Sequence, residues 1–545
     1  MPVEPVIRQM LHLPGKSPFR SSLYPSYAIV VIAVLLMTTN FLHQRWTRVG
    51  PGERGVIHWD VISYYSYLPA TFIYGDVTLG FLDHPPEGFV NDDKFWPSTL
   101  ENGNRLIITS MGLSVLYAPF FFMAHMLAPV FGEAADGFSS IYQFFLVISA
   151  LVYVVLGFVI LKNLLLRSFR PLPTAITLIA IALGTNLLYY TTYEAAMAHS
   201  YGFFLAVLLL LLVIRWYERP TLLHTILTGA LLGFIALVRP TNIVLVLLLI
   251  LWDVRSWKGF TGRILFFLKR FRLVLLMLAA FVAVWVPQFI YWKAITGQWL
   301  YFTYSAEGAS FYWGHPHIWQ SLFGFKKGWF IYTPMMLLAV AGIPLLRKRV
   351  PGLFIPLLVL LIAMVYVQSS WWSWWFGGGF GLRAYIDIYG LLAVPLAAVV
   401  ERILAQGRRW VRVPALSVIG LLLVLQLINT YQYTQNIIHY VGMNRYTYLR
   451  SFLRFHYHPD HWTHLTMPDY VLARKGIYVF YLTGNQYDYL AEMDREEALD
   501  KVREMIGAKR RLTREIGWYA KRTGTDFEAA LSEVTERMYL SMTKK

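Results

Sequence analysis

The chain has 545 residues, of which 57% are hydrophobic and only 14% charged, where a soluble protein carries about 25% charged residues. With a mean hydropathy of +0.48, this excludes a disordered chain, a fibrous protein and a soluble multidomain enzyme, and leaves a polytopic membrane protein. Cysteine is absent and the net charge is +17, so disulfide frameworks, zinc–thiolate sites, iron–sulfur clusters and cysteine nucleophiles are excluded, and the positive excess reads as basic cytoplasmic loops rather than a nucleic-acid surface.

A membrane-spanning helix needs about 20 mostly apolar residues. In chain order the predicted spans are 26–43, 139–161, 172–190, 199–215, 222–238, 241–253, 272–292, 330–346, 351–368, 385–401 and 412–430, about eleven in all. The first 20 residues lack a signal-peptide pattern, so the first span is expected to be an uncleaved anchor. The apolar stretch 106–130 is long enough to cross, but it carries Gly112, Pro119, His125 and Pro129. If it lies along the membrane and the N-terminus is inside, every strongly basic short loop falls on the cytoplasmic side. Those loops hold Lys162/Arg167/Arg170, Arg215/Arg219, Arg255 through Arg272, Arg347/Lys348/Arg349 and Arg402 through Arg412. Positive charge in short loops marks that side, so 106–130 is predicted not to cross.

The expected fold is therefore an all-α, polytopic membrane protein with about 11 transmembrane helices. A transmembrane module covers 1–430, its large outer loop 44–138 carrying amphipathic helices. A small, mostly helical extramembrane domain covers 431–545, where mixed-charge patterning replaces the apolar runs. The predicted localisation is an integral, multi-pass protein of the inner or plasma membrane, with a cytoplasmic N-terminus and a periplasmic or extracytoplasmic C-terminal domain.

Charged groups at a bilayer are costly and tend to be functional. Asp60 lies in HWDVISYYSYLPATFIYGD, just after the first span, among aromatics that include Tyr64 and Tyr65. Such aromatics hold a carboxylate at the membrane interface. Glu194 lies in the short outer loop YYTTYEAAMAHS, five residues before His199. Arg239 precedes Pro240 at a hairpin break. The run WWSWWFGGGFGLR is the most distinctive in the chain. Four tryptophans, Trp375 among them, make an aromatic wall. Gly378 and its neighbours let the backbone approach a ligand closely, and Arg383 follows with a planar fork suited to phosphate. The loop 293–329 adds Glu307, His315, His317, Lys326 and Lys327 as a lid or acceptor platform. In the tail, His458, His461 and His464 are spaced to put three imidazoles on one helix face. Each of these residues also has a plainer reading, as a solvated loop acid, a structural histidine, an aromatic belt or a snorkelling arginine.

With those residues in place, the layout resembles the GT-C superfamily of integral-membrane glycosyltransferases, in the branch akin to protein O-mannosyltransferases and aminoarabinose transferases. The similarity covers about 1–430. It rests on Asp60 in a large first outer loop with Tyr64-Tyr65 and Gly75-Asp76, on the amphipathic segment NRLIITSMGLSVLYAPFFFMAH, on Glu194 in the second outer loop, and on the Arg239-Pro240 break. WWFGGGFGLR is similar to a run in many bacterial members that lack an assigned substrate. Asp60 is followed by Val61 where the protein O-mannosyltransferases carry an Asp-Glu pair, a departure from the mannosyl-to-protein pattern.

The resemblance implies a sugar donor linked through phosphate to a polyprenyl lipid, a membrane-lipid environment, and a glycan, lipid or protein acceptor arriving from the outer side. No nucleic acid is implied. Transfer would be inverting, with Asp60 as general base and Glu194 as its catalytic partner, orienting the acceptor or sharing a divalent metal ion with Asp60. Arg383 is the first choice for the donor phosphate, with Arg239 and Arg105 behind it. Tyr64, Tyr65, His199, Trp375, Gly378 and Glu307 complete the expected substrate-binding set. No cofactor is implied beyond that optional divalent ion. A polytopic transporter or lipid flippase and an O-antigen ligase- or polymerase-like enzyme are the competing readings.

Overall fold

The computed structural model describes residues 23–50 and 53–543. The first 22 residues, which include the N-terminus expected on the cytoplasmic side, lie outside the described residues. The described chain is predominantly helical, with two short two-stranded antiparallel pairings. Among the described residues, seven helices are long and apolar enough to cross a membrane: Tyr24–Thr47, Ser140–Leu165, Ala198–Glu218, Phe271–Thr296, Pro351–Ser370, Arg383–Leu404 and Arg409–Thr434. Four shorter apolar helices accompany them, Gly112–Leu127, Pro171–Leu183, Leu222–Val238 and Pro240–Ile250. The protein is an all-α, integral membrane protein.

Local chemistry sets the helix ends. Pro171 opens its helix from the first turn, where a missing N–H costs nothing. Thr221 caps Leu222–Val238 by accepting from the His224 amide. That helix stops at Arg239, because Pro240 forces the residue before it into extended backbone. The predicted span 330–346 is instead divided into Trp329–Tyr332, Met335–Gly342, the 3-10 turn Ile343–Leu345 and Leu346–Arg349. Pro334 and Pro344 fall at the joins and cannot donate to a continuous ladder.

The chain forms two compact units. The first comprises the described part of Met1–Ala306 with Thr333–Val365 and Ala384–Gln426. At its centre lies the helix Tyr389–Leu404, which packs against Pro171–Leu183, Ala198–Glu218 and Met335–Gly342. The apolar window of Arg383–Leu404 is 94% buried, against 11% for Phe271–Thr296. The latter leaves Leu275, Leu278, Val282 and Val286 exposed, a stripe suited to lipid. Its other face packs against Leu222–Val238 through Gly229, where an added Cβ would meet the Met277 carbonyl oxygen at 2.2 Å. Small residues allow such close backbone approach in membranes.

The second unit comprises Glu307–Tyr332, Tyr366–Arg383 and Leu427–Lys545 as far as it is described. The loops before and after Tyr366 are zipped by main-chain bonds, Tyr312 N to Ser370 O at 2.6 Å and Trp372 N to Ser310 O at 3.0 Å. Its helices Arg495–Gly507, Arg510–Thr523 and Phe527–Thr543 pack on one another. They bury strict i,i+4 stripes: Ala498, Val502 and Ile506; Leu512, Ile516 and Ala520; Ala530, Val534 and Met538. This is the periodicity of a water-facing amphipathic bundle. The hairpin Thr466–Pro468 with Phe480–Leu482 completes the unit, in register Met467 opposite Tyr481. The segment 452–465 forms turns rather than a helix, since Pro459 interrupts it. His458, His461 and His464 therefore do not line one helix face.

Candidate functional site

Asp60 is the first residue of the short helix Asp60–Tyr65 and is half-buried. The loop leading to it is tied down on two sides. The Val56 amide donates to Gln143 Oε1 on the helix Ser140–Leu165 at 2.6 Å, and Arg45 Nη2 donates to the Gly55 carbonyl at 3.1 Å. Trp59, directly before Asp60, has φ 47° and ψ −133°, a region that a residue with a Cβ occupies only under strain. Its indole is 57% exposed and meets Trp96, 51% exposed, edge to face at 5.9 Å. An open aromatic pair thus adjoins the carboxylate.

Glu194 stands at the head of the same loop. Arg45 Nη1 lies 3.2 Å from its Oε1 and His58 Nε2 3.5 Å from its Oε2. Arg45 also donates to the Tyr193 carbonyl, and Tyr189 OH donates to Glu194 Oε1 at 3.4 Å. Burial pushes the Glu194 carboxyl up, but Arg45 and then His58 outweigh it and hold the group down at about 2. A divalent cation shared with Asp60 does not fit this arrangement. The carboxylate is already claimed by a guanidinium, and among the described residues no group of three His, Asp or Glu side chains could hold a metal ion.

A second ionic centre gathers around Asp387, which is wholly buried. Arg239 Nη1 lies 2.8 Å from Asp387 Oδ2, Asn242 Nδ2 donates to the same oxygen at 2.7 Å, and His199 Nδ1 is 3.4 Å from Oδ1. Arg239 and His199 are themselves 3.1 Å apart. Gly202 permits this on the helix Ala198–Glu218, because a Cβ there would come within 2.6 Å of the Asp387 carboxylate. Arg239 and His199 are thus brought together by an acid absent from the expected set. Asp387 sits in the apolar run RAYIDIYG, and an ionisable residue inside a predicted span was the available signal.

The segment 106–117 joins these parts of the first unit. Ser110 Oγ donates to the Leu237 carbonyl at 2.6 Å, Ser114 Oγ to the Tyr64 carbonyl, and Tyr117 OH to the Ala196 carbonyl. The Asp60 helix, the Glu194 turn and the Arg239 break therefore lie at one end of the unit. Arg105 does not join them through its charge. It closes on Asp83 at 2.6 Å and on the Leu79 carbonyl at 2.8 Å. Tyr65 is buried and donates to the Gly137 carbonyl at 2.5 Å.

Arg383 and Gly378 belong to the second unit. Gly377 and Gly381 have φ 63° and 61°, so the loop between Trp375 and Arg383 turns where only glycine sits without strain. Gly378 is exposed and Arg383 half-buried. Trp375 is 1% exposed and packs on Tyr470, Tyr478 and Phe480, so the tryptophan run is largely core of this unit rather than an open wall. Lys327 Nζ donates to the Gly379 and Tyr440 carbonyls from behind the loop. Glu307 has its backbone in the 3-10 segment Thr303–Glu307, and its side chain lies outside the described residues.

These features define a polytopic, helical membrane protein with an acid-bearing loop at one end of its transmembrane unit. Among solved structures it is similar to the archaeal oligosaccharyltransferase AglB from Archaeoglobus fulgidus in complex with an inhibitory peptide and a dolichol-phosphate, at 12% sequence identity and a TM-score of 0.45. The similarity covers 78% of this chain and 57% of that one, so the chain spans little more than half the length of that protein. No family model and no curated protein matches the chain.

Proposed function

We propose that the protein is a membrane glycosyltransferase that moves a sugar from a polyprenyl-phosphate-linked donor to an acceptor hydroxyl at the outer face of the membrane, with inversion. The observation that carries this reading is the placement of Asp60 at the start of a short helix, at the end of the first unit where Glu194 and Asp387 also lie. Glu194 and Asp387 are each closed onto an arginine. Asp60 sits half-buried on a braced loop beside two exposed indoles.

A general base works best with a pKa near the operating pH. A carboxylate held at about 2, as Glu194 is, is a poor proton acceptor. Asp60 is the base in this reading. The acceptor oxygen attacks the anomeric carbon, its proton passes to Asp60, and the bond from that carbon to the phosphate oxygen breaks. The electron pair leaves with the polyprenyl phosphate. Attack opposite the leaving group inverts the anomeric centre. A preorganised cation stabilises the negative charge that develops on the phosphate. Glu194 acts through Arg45 and His58, fixing the loop that presents Asp60. Arg239 and His199 hold the Asp387 centre, and Arg105 holds the outer loop.

The test is Asp60→Asn in membranes supplied with polyprenyl-phosphate sugars, with transferred sugar measured by mass analysis. Turnover is expected to fall by about 10²–10⁴, with Asp60→Glu restoring part of it. Turnover near wild type in Asp60→Asn removes Asp60 from the base role. Absence of sugar transfer from any such donor by the wild-type protein removes the reading.

A further inference from the structure

The helix Trp257–Lys269 has no buried residue, and its side chains divide into three sectors. Phe266 and Phe267 meet the Trp216 ring at 5.8 and 6.1 Å. Arg263 lies 4.3 Å over the Tyr217 ring and donates to the Trp252 carbonyl. This sector fastens the helix to the end of Ala198–Glu218. A second sector holds Trp257, Ile264, Leu265 and Leu268, spaced as one helix face, and all four are exposed, Trp257 by 78% and Leu268 by 63%. Lys258 and Lys269, about three turns apart, edge that apolar row as the third sector.

The place of this helix in the first unit is fixed by its successor. Phe271–Thr296 begins after a turn at Arg270 and carries the exposed apolar stripe from Leu275 to Val286. It runs parallel to Leu222–Val238, Gly229 beside Met277 and Gly233 beside Phe281, so its start lies away from the Arg239 break. At its far end the Ile295 carbonyl accepts from Asn102 and Asn104 at 3.2 and 2.7 Å. Trp257–Lys269 therefore borders the apolar band at the end of the unit remote from Asp60. Its apolar row passes through exposed Phe271 into the stripe that faces lipid.

The charges here have one sign. Residues 254–272 include six Lys and Arg and no Asp or Glu. Arg255 is paired with Asp253 at 2.7 Å, and Arg263 and Arg270 lie over the Tyr217 and Phe266 rings. Lys258, Lys269 and Arg272 make no ion pair among the described residues. An exposed apolar row edged by unneutralised cations and continuous with a lipid-facing stripe matches a leaflet that offers acyl chains and phosphates at adjoining depths. We infer that Trp257–Lys269 is an interfacial helix that binds anionic phospholipid, its apolar row set in the leaflet and Lys258, Lys269 and Arg272 on the headgroup phosphates. This surface lies outside the proposed transfer site and stands independently of it.

The experiment exploits the absence of cysteine, since Leu268→Cys gives a single labelling site on the exposed row. The full chain carrying a fluorophore there is reconstituted in phosphatidylcholine vesicles doped with a nitroxide lipid, the nitroxide carried near the headgroup of either phosphatidylglycerol or phosphatidylcholine. Both lipids are expected to quench the label, phosphatidylglycerol by about threefold or more over phosphatidylcholine at low salt, with the preference shrinking as salt is raised. Adding Lys258→Gln, Lys269→Gln and Arg272→Gln together should keep quenching by phosphatidylcholine and abolish the preference. A label reached by aqueous iodide and by neither lipid means that the row faces water, and a label reached by none of the three means that protein covers it; either result overturns the inference. Equal quenching by the two lipids, or a preference that survives the triple substitution, overturns the anionic assignment. Should the triple variant not fold, a preference in the parent that is indifferent to salt overturns it equally.

Discussion

Buried cations are neutralised in two different ways in the two units. In the first unit, Arg239 closes on Asp387 at 2.8 Å and Arg45 on Glu194 at 3.2 Å. In the second, Lys326 and Lys327 are as deeply buried, yet among the described residues they bond carbonyl and hydroxyl oxygens only. A charge that already has its counter-charge is finished structure. Removing one partner leaves the other stranded, which is where the large energies lie. A lysine satisfied by carbonyl dipoles alone is driven by burial toward its neutral form. The difference separates ion pairs that lock two segments together from amines that cap main-chain carbonyls.

The sharpest way to break this comparison is to remove one group from each side. Asp387→Ala leaves Arg239 and Asn242 facing a buried void, and should lower stability by about 3–5 kcal/mol, read as unfolding in detergent. Lys327→Met takes away a cation with no counterion and leaves two carbonyls short of a donor, a loss of about 1–3 kcal/mol. Equal losses in the two variants would mean that the lysine is framework of the same kind as the arginine.

The next effect is set by pH. Glu194 is held at about 2 in the folded protein against an ordinary value of 4.5. A carboxyl lowered on folding contributes stability that is fully present above about 4.5 and is lost as pH falls toward 2. By linkage the contribution is about 3 kcal/mol at neutral pH. Unfolding midpoints of wild type and Glu194→Gln should differ at pH 7 and converge as pH falls from 4.5 toward 2. A gap that stays constant through that interval would mean that the ion pair with Arg45 adds nothing. Asp387→Ala and Glu194→Gln then rank the two pairs by burial, since Asp387 is wholly enclosed and the Glu194 side chain 20% exposed.

Much of this frame was legible in the sequence because hydropathy is local. The span predicted over 222–238 coincides with Leu222–Val238, bounded by a capping threonine and a proline. Prediction failed where prolines divide an apolar run, as at Pro334 and Pro344, and where Pro459 keeps the histidine-rich segment out of helix. The ionic centres were only half legible. Arg239, His199 and Glu194 stand out at helix ends. Their partners do not, because Asp387 is hidden in an apolar stretch and Arg45 meets a residue 149 positions away. The tryptophan run announces an aromatic surface, but exposure depends on what packs against it, and Tyr470, Tyr478 and Phe480 come from the tail. Glycines at 377–379 announced a backbone open to close approach. That a buried lysine ties it down is a tertiary fact with no local signature.

The smallest predicted effect concerns the backbone that carries Asp60. Directly before that acid stands Trp59, whose φ of 47° places a bulky side chain in strained backbone. Replacing Trp59 with glycine removes the strain, worth about 1 kcal/mol or a little more. It sacrifices little burial, because the indole is 57% exposed. Glycine also costs about 0.5–1 kcal/mol in unfolded-chain entropy, so the net change in stability should be within about 1 kcal/mol of zero. Trp59→Ala keeps the strained backbone, loses the same indole, and should be the less stable of the two. If the strain is what presents Asp60, Trp59→Gly should lose more transfer activity than Trp59→Ala despite being more stable. If the indole is what matters, through its contact with Trp96, the two variants should lose activity equally. Full activity in both would remove this corner of the loop from the site and leave the presentation of Asp60 to the Arg45–Glu194 bracket alone.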